Sequence, residues 1–244
     1  MKRSQKDVRK KATAIPELRF EDQRLTSFAG LVVFQKLFQV LRLRSRLANC
    51  FRHQSVGKIF QRSNLFLQLI VHLLLGYREL RHADYYRDDP LVRRVLGFES
   101  MPDVATLSRM LKQADQKSVD KLRKLLGDLV LERLVLHALP RMTLDFDGSV
   151  QSTKGCLEGT AVGFNKAKKG ARSYYPLFCT LAQTGQVLNF LHRSGNVHDS
   201  NGAKDFILQC VQQVRNVLPG VIIEVRMDSD FFSEEIVTAL NQMG

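Results

Sequence analysis

Two short apolar runs in this chain end in carboxylates: Met142-Thr143-Leu144-Asp145-Phe146-Asp147 and Val225-Arg226-Met227-Asp228. Charged groups at the carboxyl ends of sheet strands lose water and repel one another, so they are costly unless a cation neutralises them or function retains them. Hard divalent cations such as Mg2+ (or Mn2+) bind one or two protein carboxylates together with substrate phosphate oxygens. In pairs roughly 3.5 to 4 Å apart they assist in-line displacement at phosphorus. The chemistry to expect from Asp147 and Asp228 is therefore metal-assisted attack on a phosphodiester. The plainer alternative is that these aspartates begin turns, and Gly148 leans that way. Asp145 and Asp147 lie two apart and share a strand face, which leaves open which of them would bind metal. Asp147 ranks first because it is nearer the sheet edge, with Asp145 as a second candidate.

The surrounding pattern must supply the strands. From Arg141 onward, 142 to 147, 174 to 182, 186 to 193 and 221 to 228 are short runs rich in β-branched and aromatic residues, and they read as strands. Thr184-Gly185 predicts a tight hairpin turn, and residues 200 to 218 carry a helical pattern that stops at Pro219-Gly220. The order strand, strand, strand, helix, strand, helix predicts an α/β domain with a mixed sheet over 141–244. Between Leu25 and Leu139 apolar residues recur at helical spacing, as in Leu67, Ile70, Val71 and Leu74. Residues 1–140 are therefore expected to form a helical domain, with the boundary at Leu139-Pro140.

The chain has 244 residues and a net charge of +13, with a sequence pI near 9.9. That balance makes a polyanion the first partner to expect. The excess is local: +11 over residues 1–62, +2 over 63–140 and zero over 141–244. Arg42, Arg44, Arg46, Arg52, Lys58 and Arg62 surround a helical pattern in which Leu43 and Leu47 would face a core while Arg42 and Arg46 face out. Such a face suits contact with a DNA backbone. Residues 103 to 113 read either as half of a helix-turn-helix, with Ser108, Arg109 and Lys112 toward DNA, or as an ordinary packing helix. Lys166, Lys168, Lys169 and Arg172 form a basic loop that reads as a phosphate contact or as a solvated turn. His198 sits in a polar loop and reads as structural. The four Cys form no C-x-x-C pair, so neither a disulfide framework nor a zinc site is expected, and the chain reads as intracellular and reduced. The basic start leads into no apolar stretch with a cleavage site, and the run 65 to 75 is too short to span a bilayer.

Several motifs taken together resemble a known family. LDFDGSV (144 to 150), the 163 to 203 region that opens on GxNKAKKGAR and contains LHRSGNVHDSNGA, and RMDSDFFSEEIVTAL (226 to 240) resemble the DDE transposases of bacterial insertion sequences, in the branch numbered thirteen-eighty. Its strands carry LDxDST, LRxGNxHSSNGA and RxDSGFF. The upstream segments 76 to 97 and 106 to 111 agree with that family's helical part, so the resemblance runs from about residue 65 to the end. It implies a ribonuclease-H-like catalytic domain in which Asp147 and Asp228 match the first and second catalytic aspartates holding two Mg2+ ions. It also implies element terminal inverted repeats and target DNA as partners, a dimer on paired ends, and a cytoplasmic, nucleoid-associated place of action. Two departures stand out. Asp230 replaces the glycine usual after Asp-Ser, and the family's third carboxylate, a glutamate on a later helix, has no match in Glu234 or Glu235. The resemblance therefore implies a transposase truncated at its C-terminus, with impaired strand transfer.

Overall fold

The structure, a computed structural model, describes residues 25–55, 59–137, 139–163, 165–198, 201–231 and 233–243. In chain order the helices are α1 (Leu31–Val40), α2 (Leu43–Phe51), α3 (Arg62–Leu74), α4 (Pro90–Leu96), α5 (Val104–Lys112), α6 (Gln116–Val135), α7 (Ala203–Val217) and α8 (Glu234–Met243). A 3-10 turn, Leu80–Tyr86, lies between α3 and α4. The strands are β1 (Arg141–Gly148), β2 (Gln151–Ser152), β3 (Ala161–Val162), β4 (Arg172–Tyr174), β5 (Leu177–Leu181), β6 (Val187–Leu191) and β7 (Ile222–Met227). This is the expected class, a helical N-terminal region followed by a mixed sheet.

The compact units are threaded through the sequence rather than laid end to end. Among the described residues, one comprises 25–40 with 59–111, and the other 41–55 with 112–243. The Leu139-Pro140 junction joins α6 to β1 inside the second unit.

In the first unit, helix ends are set by local chemistry. Asp89 accepts from the Leu91 and Val92 amides at 3.0 Å each, Pro90 follows at the first helical position, and Gly97 closes α4 in the left-handed region at φ 71. Asp103 caps α5 through the Thr106 amide at 2.7 Å, as its position before the apolar pattern predicts. His72 is buried, between the Tyr86 hydroxyl at 3.0 Å and the Glu79 carbonyl at 3.1 Å. A carbonyl only accepts, so Nε2 carries the proton and Nδ1 takes the Tyr86 hydroxyl. Burial holds the His72 pKa below its ordinary value and pushes Tyr86 up to about 12.

In the second unit the main sheet has the order β6-β5-β1-β7, with β1, β5 and β6 antiparallel in succession and β7 parallel to β1. Met142, Leu144 and Phe146 of β1 pair with Ile223, Val225 and Met227 of β7. With Leu177, Cys179 and Leu181 of β5 they make one apolar face, covered by Phe206, Ile207, Cys210, Val211 and Val214 of α7. Each such side chain contributes roughly 1.5–3 kcal/mol when fully buried. The reading of 174 to 182 as one strand is corrected: Pro176 cannot donate to a ladder, and it separates β4 from β5. The segment before it joins a second sheet, β2-β4-β3, that the sequence pattern did not signal. The hairpin at Thr184-Gly185 is present, with Gly185 at φ 66 donating to the Leu181 carbonyl at 2.7 Å.

The segment 41–55 packs on α6. Leu43 and Leu47 are buried as expected. The Arg46 guanidinium donates to both Glu132 carboxylate oxygens, at 2.5 and 2.6 Å. His53 lies 2.9 Å from Asp115, and Gln54 donates to the Ser118 hydroxyl at 3.0 Å. Asp115 also caps α6 through the Ser118 amide at 2.7 Å. Hydrogen bonds from Gln54 and Ser118 hold its carboxyl well below the usual carboxylate range.

Candidate active site

The parallel pairing of β1 with β7 sets side by side the two strands whose ends carry aspartates. Their register runs from Arg141 with Ile222 to Phe146 with Met227. The next residues along the chain are Asp147, still within β1, and Asp228, which directly follows β7. Alternation puts Thr143, Asp145 and Asp147 on one face of β1, opposite the apolar face that packs on α7. On that face Thr143 pairs with Glu224 and Asp145 with Arg226, and Asp147 is the next residue of β1 on the same face. Adjacent strands lie about 4.8 Å apart, a separation two carboxylates can bridge onto one cation.

Asp147 is exposed and lies inside β1, which runs on to Gly148; it does not begin a turn. Gly148 is set by packing. A Cβ there would lie 2.3 Å from the Tyr175 hydroxyl and 2.4 Å from its ring. Tyr175 is held in turn by Arg193, whose guanidinium lies 5.1 Å from the ring centre. Arg193 is buried, and it donates to the carbonyls of Tyr175 at 3.1 Å, Asn201 at 3.3 Å and His198 at 3.4 Å. His198 thus serves this loop through its backbone oxygen. Gly195 crosses the small sheet so closely that a Cβ would meet the Ser173 carbonyl at 2.5 Å. The Arg-Ser-Gly-Asn motif is a brace that seats the end of β1.

Asp228 is also exposed, and its Oδ1 accepts from the Ser229 amide at 2.5 Å and the Ser229 hydroxyl at 3.1 Å. Those bonds fix the carboxylate at the start of the turn Ser229–Phe231, which buried Phe231 anchors in the core. Asp145 is engaged differently. Its two oxygens take Arg226 Nε at 2.5 Å and Nη2 at 2.6 Å, a bidentate pair in which Asp145 is 23% exposed. This contact was missed from sequence, although Asp145 and Arg226 each precede a strand-end aspartate by two residues. Equal offsets on in-register parallel strands bring opposite charges face to face.

Among the described residues, no cluster of three or more His, Cys, Asp or Glu could hold a metal. Glu235 pairs with Lys204 at 2.5 Å, and the Asp230 side chain lies outside the described residues. Of the basic candidates, Lys166, Lys168 and Lys169 are exposed. Arg172 instead binds the Thr160 hydroxyl at 3.0 Å and the Thr160 carbonyl, so it holds its own loop. Arg42, Arg44 and Arg52 are exposed at the surface of the second unit, and Arg46 faces Glu132. Arg62 opens α3 and Arg109 lies on α5 beside Thr106, at 3.0 Å. Lys58 lies outside the described residues.

The sequence profile of the family described as Transposase DDE domain group 1 matches residues 9–244. The chain belongs to the DDE transposases. Comparison with curated proteins finds no match. Among solved structures, the chain is similar to piggyBac transposase in a synaptic complex with hairpin DNA, with 15% identity and a TM-score of 0.41, over 87% of this chain and 48% of that one. It is also similar to Mos1 transposase in a paired-end complex with the left transposon end, with 8% identity and a TM-score of 0.30, over 78% of this chain and 60% of that one. A Mos1 paired-end complex with Mg gives 10% identity and a TM-score of 0.26, over 79% and 59%. The DDE chain described here thus spans about half to three fifths of the length of these transposases. Among its described residues, no helix is long and apolar enough to cross a membrane.

Proposed function

We propose that this chain binds the terminal inverted repeats of an insertion element and serves divalent-cation-dependent cutting and joining of DNA phosphodiesters. The single observation supporting the reading is the parallel β1–β7 register, which runs to Phe146 with Met227, the residues immediately before the exposed Asp147 and Asp228. The donor set fits Mg2+ or Mn2+: two exposed carboxylates offer hard oxygen ligands and leave room for water and phosphate. When bound, such cations polarise the phosphodiester and activate water or a DNA 3′-hydroxyl. Asp147 and Asp228 would be the ligands. Asp145, engaged by Arg226, keeps the strands in register beside them. Ser229 fixes the orientation of Asp228 through both its amide and its hydroxyl. Lys166, Lys168 and Lys169, with Arg42, Arg44, Arg52, Arg62 and Arg109, are assigned to DNA phosphates, and a homodimer would hold paired ends. The setting is the bacterial cytoplasm, at the nucleoid.

A second reading, a DNA-binding form that competes at element ends without catalysis, draws on the carboxylate count. Among the described residues no cluster of three or more His, Cys, Asp or Glu could hold a metal, and Glu235 is occupied by Lys204. The test is nicking and joining of end-bearing DNA by the purified chain with Mn2+. Loss of roughly two to three orders of magnitude in Asp228→Ala, with binding kept, supports the enzyme. Binding without cleavage in either protein supports the competitor, and preference for branched DNA over element ends would indicate a structure-selective nuclease.

A further inference from the structure

We infer that the groove between α2 and α6 is a duplex-DNA backbone site carried by the same compact unit as Asp147 and Asp228. This rests on the reading above that the chain acts on DNA, and it deepens that reading by joining Arg52 to Lys121 of α6 in one groove. The groove has a volume of about 590 Å³, and its charged lining is Arg46, Arg52, Lys121, Lys124, Asp128 and Glu132. Residues 41–55 contain four arginines and no acidic residue, while α6 adds Lys117, Lys121, Arg123, Lys124 and Arg133 against Asp120, Asp128 and Glu132. Folding therefore concentrates positive charge along two packed helices, whereas residues 141–244 carry none in net.

The cations fall into two kinds. Arg46 is committed to Glu132, and Lys124 to Asp128 at 2.6 Å; these pairs fasten the walls. Lys121 is held in place by the Asn49 carbonyl at 3.3 Å, near His53, and Arg52 stands exposed at the C-terminal end of α2 without an ion pair among the described residues. Lys121 and Arg52 are thus left to meet phosphate, one from each wall. Charges spaced along a groove match a repeating polyanion better than a single small anion, since each neutralised phosphate releases counterions and adds to affinity.

The experiment is fluorescence anisotropy of the full chain with a short labelled duplex of arbitrary sequence, titrated over a range of KCl. Arg52→Glu combined with Lys121→Gln is expected to weaken binding at least roughly 10-fold and to lower the salt slope by about 2, one unit for each lost phosphate contact. Arg52→Lys should keep the wild-type slope, and circular dichroism should give all variants the wild-type spectrum. A double variant that is folded and has wild-type affinity and slope overturns the groove alone. A wild-type chain that binds no duplex overturns both the groove and the DNA reading. Should the double variant fail to fold, Arg52→Glu alone, at an exposed position, must still lower the slope by about 1, and an unchanged slope overturns the proposal.

Discussion

The two faces of the central sheet share every backbone hydrogen bond yet do opposite work. On the covered face, Met142, Leu144 and Phe146 of β1 meet Ile223, Val225 and Met227 of β7 beneath α7. On the exposed face the rows are Thr143 with Glu224 and Asp145 with Arg226, and Asp147 follows at the end of β1. A slip of one residue would bury the charges and expose the apolar set, so the hydrophobic face specifies the register. The charged face inherits that register, which sets Asp145 against Arg226. Stability is thus made on one side of the ribbon, and the candidate chemistry is displayed on the other.

Phe146→Ala should have the largest effect on stability, a loss of about 3–5 kcal/mol in urea unfolding, because it leaves a cavity under α7. A loss below about 1 kcal/mol would mean that the covered face does not set the fold. Gly148→Ala should cost about 1–3 kcal/mol, since Tyr175, held by Arg193, fills the space its methyl needs. Combining it with Tyr175→Ala should recover part of the loss in the same unfolding assay. On the exposed face, Asp145→Arg or Arg226→Asp alone should weaken Mn2+ binding, read by calorimetry, and the double charge swap should restore most of it. Failure of the swap to restore binding would argue against register-holding by this pair. The smallest stability change is expected for Asp147→Asn. It removes one charge from an exposed position and touches no part of the covered face, so the melting temperature should stay level or rise slightly while Mn2+ binding falls. A clear fall in melting temperature would blur the division of labour between the faces.

Much of this arrangement is legible in the chain. The alternation in 142 to 147 marks β1, Thr184-Gly185 marks the hairpin, Asp103 marks the start of α5, and Pro219-Gly220 marks the end of α7. These are local signals, carried by side-chain periodicity and by residues with restricted backbones. The ion pair of Asp145 with Arg226 is also latent in sequence, as matched offsets from two strand ends, but it becomes visible only once the strands are known to be parallel and in register. The brace of Arg193, Tyr175 and Gly148 leaves less trace, since its three members come from separate loops and strands. The small sheet leaves almost none, because β2 and β3 have two residues each and are defined only by what they pair with.

The sequence by itself determined the element types, the two acidic strand ends, the surplus of positive charge before residue 62 and the family to which those motifs point. Only the tertiary structure decided that β7 lies parallel beside β1, and that residues 41–55 fold onto α6 in the unit that carries the sheet. The reason is physical. Helix and turn preferences are settled among residues a few positions apart, whereas a strand's neighbour and a helix's docking site depend on burying apolar surface between segments some eighty residues distant, such as Asp147 and Asp228.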